Sequence, residues 1–423
     1  MNPAGWDREV LRKKLIQLLV FLAPTQLALH FWPNWSLVFG LRVDYLSITL
    51  YLTDLIILLY LFLFLSRRPK ISKKTGLSFL FLLFLAFTNT LFADNQLASI
   101  FRWIKFFEYA LLVWAISKEK NLLLEKWLAR PFVASLILFS AIGILQFMLG
   151  RTLGGPLYFL GERSFSTATP GVSLISFLGE EKLRAYSTFS HPNSLGAYLL
   201  VSSLLTYPFL KIRRFWKAVL VAVPLIAFFL TFSKGTWITA IFLIPLFFLR
   251  KIVFRKGSVI PKTILVSTIL LGFALPVFTH KAFMEGLPEN LTERLFLAET
   301  AFRALSQNPV LGTGMANFYN FLASSYSSGT IWLIQPVHNI FLLVLVETGL
   351  VGLVLFTLLL WIALEKISVI SGKKVSLSLA LALLAIILTG FSDHHWITLQ
   401  QNQILFSLVL GLAFKKGFSS ERE

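Results

Sequence analysis

The sequence predicts an all-α integral membrane protein with about twelve transmembrane helices and two long loops on the outer face. Three observations support this fold class. Of the 423 residues, 56% are hydrophobic and only 14% are charged, whereas soluble domains carry about a quarter charged residues. Apolar stretches long enough to cross a bilayer, which takes about 20 residues, recur along the chain. The Lys and Arg residues lie mostly in the connections between alternate stretches.

The composition excludes several classes of protein. A mean hydropathy of +0.75 is incompatible with a disordered chain or an ordinary cytosolic enzyme. The absence of cysteine excludes disulfides, thiolate zinc sites and cysteine nucleophiles, and the sequence contains no Walker-type ATP-binding motif. The net charge of +19 is explained by membrane topology. We therefore expect membrane lipids as partners and no nucleic acid.

The apolar segments are predicted to be helices, because unpaired backbone amides in lipid are costly and the segments lack the alternation of a barrel. The first follows a basic cluster and lacks a cleavage site, so we expect it to be retained. The predicted spans cover residues 14–32, 46–66, 76–93, 98–117, 129–149, 194–210, 216–232, 235–250, 262–279, 338–364, 375–391 and 399–414.

Charge distribution predicts the orientation. With a cytoplasmic N-terminus, about 28 of the 39 basic residues fall on the inner side, as the positive-inside rule requires. The C-terminus is then also cytoplasmic. The long connections 150–193 and 280–337 lie outside, and long structured loops are usually functional. We expect residues 1–193 to hold about five spans and the first long loop, and residues 194–423 to form the catalytic region with about seven spans.

The outer loops contain arginines suited to phosphate binding. Arg184 precedes Pro192 and Asn193, where a helix is predicted to begin with Asn193 as its cap. Together they favour either a phosphate site or a plain helix cap beside a solvated arginine. Arg294 and Arg303 are nine residues apart, so they face opposite sides of one amphipathic helix. One of them can therefore face a site while the other faces solvent.

Histidines lie at the mouths of the last spans. His338 opens the tenth span, where it can accept a proton near neutral pH or simply bond to backbone. The run Asp393-His394-His395 could join it in a metal site, but consecutive residues converge poorly and the outer loops lack an Asp-x-Asp pair. We therefore predict that no metal is used. Further along the tenth span, Gly349 and Gly352 favour close helix packing.

The fourth span contains ionisable groups at membrane depth, which usually line an interior cavity. Arg102, Lys105 and Glu108 share one face, so Glu108 can neutralise Lys105 and leave Arg102 for an anionic headgroup. The alternative is a self-compensating structural cluster. Asp54 is a candidate partner from the second span.

The order of these motifs resembles the O-antigen ligase and O-antigen polymerase family, over most of the chain. The resemblance rests on three stretches: Arg184 to Gly196, Arg294 followed by Asn308-Pro-x-x-Gly-x-Gly314, and His338-Asn339-x-x-Leu-x-x-x-x-Glu347-x-Gly349. It implies a GT-C-like membrane glycosyltransferase that needs neither metal nor cofactor. Such an enzyme transfers a glycan from undecaprenyl diphosphate to a lipid-linked or saccharide acceptor, on the outer side of the bacterial cytoplasmic membrane.

The resemblance also implies roles for individual residues. Arg184 and Arg294 would bind the donor diphosphate, and His338 would activate the acceptor. Lys234 stands where many relatives have arginine, and lysine loses bidentate phosphate geometry. The residues expected to make accessory contacts are Arg102, Lys105, Lys234, Asn339 and Arg303. A polymerase that joins lipid-linked repeat units, and a transporter of lipid-linked saccharides, remain as alternatives.

Overall fold

The structure, a computed structural model, describes residues 3–120, 122–211, 213–282, 289–325, 334–370 and 373–415. Parts of the predicted second outer loop (283–288 and 326–333) and of the predicted cytoplasmic C-terminus (416–423) lie outside these residues. Each of the twelve predicted segments contains a helix. The helices are α1 (Pro3–Leu22), α2 (Leu52–Leu65), α3 (Lys73–Leu91), α4 (Gln96–Lys118), α5 (Ala129–Leu149), α6 (Pro192–Thr206), α7 (Arg214–Leu230), α8 (Lys234–Phe248), α9 (Arg250–Val253), α10 (Ile260–Ala282), α11 (Glu289–Gln307), α12 (Phe318–Ser324), α13 (Ile340–Ser368), α14 (Lys373–Ser392), α15 (His395–Thr398) and α16 (Gln400–Ala413).

Several helices are suited to a bilayer. In the described residues, four are long and apolar enough to cross one: Lys73–Leu91, Leu124–Leu149, Ile340–Ser368 and Lys374–Ser392. Of these, α3 exposes Leu80, Phe84 and Phe87, each at least 63% accessible, and lipid covers such a surface favourably. The chain is therefore an integral membrane protein.

Other apolar helices are too short to cross alone. For example, α2 and α8 have 14 and 15 residues, which is about 21–23 Å against a hydrocarbon core of about 30 Å. Twelve complete crossings and a GT-C-like arrangement therefore stay predictions.

The all-α prediction needs one correction, because three small antiparallel ribbons lie between the helices. The paired strands are β1 (Ala28–Phe31) with β4 (Ile48–Tyr51), β2 (Leu37–Val38) with β3 (Leu41–Arg42), and β5 (Leu174–Phe177) with β6 (Glu180–Leu183). The predicted spans 14–32 and 46–66 therefore each include a strand. Both strands are largely apolar, so hydropathy alone could not distinguish them from the predicted helices.

Buried polar contacts lie at two separate places in the helix bundle. Arg12 pairs with buried Glu119 at 2.7 Å, Arg67 lies 3.8 Å from the same carboxylate, and Lys415 donates to the Leu122 carbonyl. These residues share one end of the bundle, and the cytoplasmic side predicted for both termini stays a prediction. The starts of α6 and α13 and the end of α14 meet elsewhere and form the candidate site described below.

One hydrophobic core runs through both halves of the chain, from Leu15 in α1 to Ala413 in α16. Within it, α6 packs on α14, α4 on α16, and α5 on α7. The division proposed at residue 193 therefore does not separate two cores, and it stays a prediction about which part carries the chemistry.

The long helix α13 is broken at Gly349, where φ is 65° and ψ is −169°. A loop from elsewhere in the chain pairs with the broken backbone: Thr313 N donates to Val346 O at 2.8 Å, and Leu350 N donates to Pro309 O at 2.9 Å. Irregular backbone at membrane depth is tolerated only where protein satisfies it in this way.

This break corrects the prediction for Gly349 and Gly352, since neither mediates close packing between two helices. A β-carbon on Gly349 would lie 2.1 Å from the carbonyl oxygen of Val310 in the paired loop. One on Gly352 would contact Thr348 of the same helix.

We expect Gly349→Ala to lower the free energy of unfolding by about 1–3 kcal/mol or more, because this backbone region is essentially restricted to glycine. Thermal denaturation of the detergent-purified protein measures the effect. Gly76→Ala in α3 is the control, since its β-carbon meets nothing closer than Ile71 Cγ2 at 3.9 Å. If both variants denature at the wild-type temperature, the break is not a structural requirement.

Candidate functional site

Four parts of the chain converge beside the turn that joins α14 to α15. The turn itself carries Asp393, the start of α6 brings Asn193, the residue before the cap of α13 is His338, and α11 brings Arg294. The hairpin β5–β6 ends at buried Leu183 and delivers Arg184 to the same place. We call these five residues the Asp393 cluster.

Asp393 lies at the centre of the cluster and is 6% exposed. Its Oδ2 accepts a hydrogen bond from Asn193 Nδ2 at 3.0 Å, and its Oδ1 accepts one from the backbone amide of His394 at 2.8 Å. Oδ1 also lies 3.8 Å from His338 Nδ1 and 3.4 Å from His395 Nδ1. Burial opposes ionisation of this carboxyl, but His395 and His338 outweigh that effect and hold its pKa well below the usual range. The cluster therefore contains a fixed negative charge.

Arg184 is held by two of its five N–H groups. Nε donates to the carbonyl oxygen of Thr231 at 2.7 Å, and one terminal nitrogen donates to Asn193 Oδ1 at 2.8 Å. Burial lowers the pKa of the guanidinium to about 10, Asp393 opposes the shift, and Arg294 adds to it. Arg184 is thus a partly buried cation near a second cation, and it retains donors for a ligand.

Arg294 and Arg303 lie on opposite sides of α11, as their spacing predicts. Arg294 donates to the Ser392 carbonyl oxygen at 2.9 Å, at the end of α14. The Arg303 side chain is 53% exposed and lies 4.0 Å from Glu299 one helical turn away. The expected accessory contact of Arg303 is therefore not made in this arrangement.

Of the histidines around Asp393, His338 is the most accessible. Its side chain is 18% exposed, against 7% for His394 and 2% for His395. Burial lowers the pKa of His394 well below its usual value, so that ring is neutral at pH 7. The Nδ1 atom of His338 is buried and faces Asp393 without making a hydrogen bond to a described residue. His338 is thus the ring that an external group can reach most readily.

A metal ion is the alternative occupant of this cluster. His338, Asp393 and His394 can each offer one ligand atom, with the three atoms within 4.8 Å of one another. The hydroxyl of Thr398 donates to the His394 carbonyl and therefore accepts from His394 Nδ1, which leaves Nε2 unprotonated and able to bind a metal. Against a metal, Asp393 already accepts two hydrogen bonds, and two arginines supply positive charge.

Two of the expected accessory residues lie beside the cluster. Asn339 caps α13, with Oδ1 accepting from the amides of Phe341 and Leu342 at 2.9 and 3.1 Å, so its contacts are structural. Lys234 is exposed at the first position of α8. Its neighbour Gly235 packs so closely on Ser392 that a β-carbon would lie 2.6 Å from the serine oxygen. Lys234 is therefore at the rim of the cluster.

The other two accessory residues lie in α4, away from Arg184. Lys105 is 2.7 Å from Glu108, as their spacing predicts, and 2.7 Å from Asp54, the candidate partner from the second span. Arg102 makes no hydrogen bond or ion pair with a described residue. Both line a cavity of about 470 Å³.

That cavity borders the Asp393 cluster without including its arginines. Its wall contains Tyr45 and Thr398. The ring of Tyr45 packs edge-on against His394, with centroids 5.7 Å apart, and Thr398 bonds to the same histidine at 2.6 Å. The Asp393 cluster and this cavity are therefore adjacent, and His394 lies between them.

The sequence missed how the start of α6 is built. The cap is His191, whose Nδ1 accepts from Asn193 N at 3.1 Å. Burial lowers the pKa of His191 to about 3, which keeps the ring neutral and able to accept. The predicted cap, Asn193, instead bridges Arg184 to Asp393. A histidine directly before Pro-Asn was the available signal, but an Asn cap is the commoner choice.

The fold and the polar cluster describe a helical membrane protein with a charged site at one end of its bundle. Comparison with known families then gives the class, since residues 218–357, about a third of the chain, match the family model described as O-antigen ligase. This match supports the resemblance to O-antigen ligases and polymerases that the motifs predict. The matched segment contains Lys234, Arg294 and His338, whereas Arg184 and Asp393 lie outside it. No curated protein matches the sequence.

We expect glycan transfer to continue in excess EDTA, because Arg184 and Arg294 can neutralise a leaving group without a divalent cation. The measurement is the transfer rate of purified protein before and after chelation, then with single metals added back. Activity that is lost in EDTA and restored by one metal would instead assign His338, Asp393 and His394 as its ligands.

Proposed function

We propose that this protein transfers a glycan from an undecaprenyl-diphosphate carrier to an acceptor on the outer side of the bacterial cytoplasmic membrane, without a metal ion. The observation that carries the proposal is the convergence of Arg184, Arg294 and His338 around buried Asp393. These three residues are far apart in the sequence, and the sequence alone predicts each of them as a site residue. The match of residues 218–357 to the O-antigen ligase family supports this reaction class.

The two arginines fit a diphosphate because their charge is only partly balanced. Each carries one positive charge, and neither makes an ion pair with a described residue, since Arg184 is joined to the Asp393 carboxylate only through Asn193 and Arg294 donates to a backbone carbonyl. Arg184 is partly buried and is repelled electrostatically by Arg294. An anion placed between them would relieve this repulsion and stabilise the charge that develops on a leaving diphosphate.

His338 is placed to accept the acceptor's proton. Its Nδ1 side faces Asp393 at 3.8 Å, so the opposite ring nitrogen points away from the carboxylate. A buried carboxylate this close to the ring stabilises the imidazolium that forms. In the proposed step the acceptor oxygen bonds to the anomeric carbon and the bond to the diphosphate oxygen breaks. The hydroxyl proton passes to His338, and undecaprenyl diphosphate leaves.

The neighbouring cavity is suited to the acceptor. Its volume of about 470 Å³ is within the usual range for ligand pockets. Its wall contains Gln403 and aromatic rings such as Tyr51. Arg102 also lines it and makes no hydrogen bond or ion pair with a described residue. These groups suit a saccharide that carries phosphate or carboxylate, and Tyr45 in the cavity wall packs against His394 beside the cluster.

The ligase, polymerase and transporter hypotheses differ in product. Purified protein would be given a defined lipid-linked donor with either a terminal lipid acceptor or a second lipid-linked repeat unit. Transfer to the terminal acceptor supports the ligase, and a ladder of longer lipid-linked products supports the polymerase. Movement of the carrier across vesicles with no new glycosidic bond would replace both with a transporter.

Substitution of either arginine tests the donor site. Arg184→Ala and Arg294→Ala should each reduce transfer at limiting donor by about 10²–10³-fold, the usual cost of one lost oxyanion donor. The lysine variants should recover only part of the activity, because lysine cannot form the bidentate contact.

Arg303→Ala is the matched control, since Arg303 lies on the same helix as Arg294 but is exposed on its opposite side. It should keep near-normal turnover. Near-normal turnover in Arg184→Ala and Arg294→Ala as well would remove the diphosphate assignment.

His338→Ala should slow the chemical step by about 10²–10⁴-fold, the typical contribution of a general base, while donor binding stays close to wild type. His338→Gln should recover little, because an amide cannot take up the proton. Single-turnover rates at saturating donor and donor affinities should be measured on the same preparations. Weak donor binding with an unchanged single-turnover rate would make His338 a binding residue.

A further inference from the structure

A second cavity lies at the other end of the bundle from the Asp393 cluster. It has a volume of about 220 Å³ and lies between the turn after α9, the end of α13 and the beginning of α14. Helix α14 starts near this cavity and ends at Ser392 beside the cluster. Its 20 residues extend about 30 Å, which is one hydrocarbon thickness. The cavity is therefore separate from the proposed catalytic site.

The charge of this cavity is predominantly positive. It is lined by Arg255, Lys256 and Lys262, with Glu365 as the acidic residue of its lining. Lys262 pairs with Glu365 at 3.2 Å. Arg255 and Lys256 are exposed, and neither side chain has an ion pair or hydrogen bond with a described residue. The lining thus has more cations than anions, and two of the cations are available to a ligand.

The surroundings of the cavity are apolar and exposed. Ile252 is 58% accessible, Val259 66% and Val369 56%. Val369 lines the cavity, and Ile252 and Val259 are each next in sequence to a lining residue. The Trp361 ring packs under the Lys262 ammonium, which is 4.9 Å from its centroid. A soluble anion would gain nothing from these apolar side chains, whereas acyl chains would cover them while a headgroup phosphate occupied the cavity.

We propose that this cavity binds the phosphate of an anionic phospholipid, with Arg255 and Lys256 contacting the phosphate and the acyl chains lying along the neighbouring apolar surface. Basic pockets between membrane helices are suited to such headgroups. The positive-inside pattern assigns this end of the bundle to the cytoplasmic leaflet. The proposal does not depend on the glycosyltransferase assignment.

The test uses the full chain in detergent micelles, with thermal stability measured as phosphatidylglycerol, phosphatidylcholine or inorganic phosphate is added. Phosphatidylglycerol should raise the melting temperature more than the other two. The double variant Arg255→Gln/Lys256→Gln should bind it roughly 30-fold more weakly, the combined effect expected of two basic side chains near an anionic lipid. The control Lys73→Gln/Lys74→Gln removes two exposed lysines on α3, outside the cavity, and should respond like wild type.

A variant that is expected to tighten lipid binding distinguishes a change in binding from damage to the fold. Glu365→Gln removes the negative charge from the lining and should tighten retention of phosphatidylglycerol, counted by native mass spectrometry. Equal stabilisation by the two lipids, or an unchanged phosphatidylglycerol response in the Arg255/Lys256 variant, would overturn the proposal. An equal response to inorganic phosphate alone would assign the cavity to a soluble anion instead.

Discussion

The site depends on the buried carboxylate of Asp393. It bonds to Asn193, which in turn bonds to Arg184, and on its other side it faces His338 and His395. Without this charge, two arginines and several imidazoles would lie close together with no anion to balance them. With it, one anion lies next to both Arg184, which would bind diphosphate, and His338, which would accept a proton. The carboxylate is protected from solvent, so its interactions are strong.

The surrounding fold keeps these groups in place through backbone contacts. The carbonyl of Thr231 holds Arg184, and the carbonyl of Ser392 holds Arg294, so both arginines are anchored at helix ends. Further into the bundle, the broken helix α13 is tied to the loop at residues 309–314. That loop follows α11, so the helix that carries Arg294 and the helix that follows His338 are linked by hydrogen bonds as well as by packing.

Much of the fold could be predicted, because hydropathy identifies helices well. The predicted segment 129–149 coincides with α5, and the other segments each contain a helix. The ribbon of β1 and β4 could not be predicted, since its strands are apolar continuations of predicted spans. In the site, helical phase predicted that Arg294 and Arg303 face opposite sides of one helix, whereas the choice of Arg294 as the diphosphate ligand came from the family resemblance and stays a prediction. Asp393 was considered only as a metal ligand, because its contact with Asn193 joins positions 200 residues apart and depends on how α6 packs on α14.

The most direct test of this account is Asp393→Asn, with donor affinity and single-turnover rate measured separately. Removal of the negative charge leaves the arginines less neutralised, so donor binding should be retained or tighter. The single-turnover rate should fall by about 10²–10⁴-fold, because His338 loses the nearby negative charge that stabilises its protonated form. An unchanged single-turnover rate, in a variant that binds donor normally, would contradict the central role of Asp393.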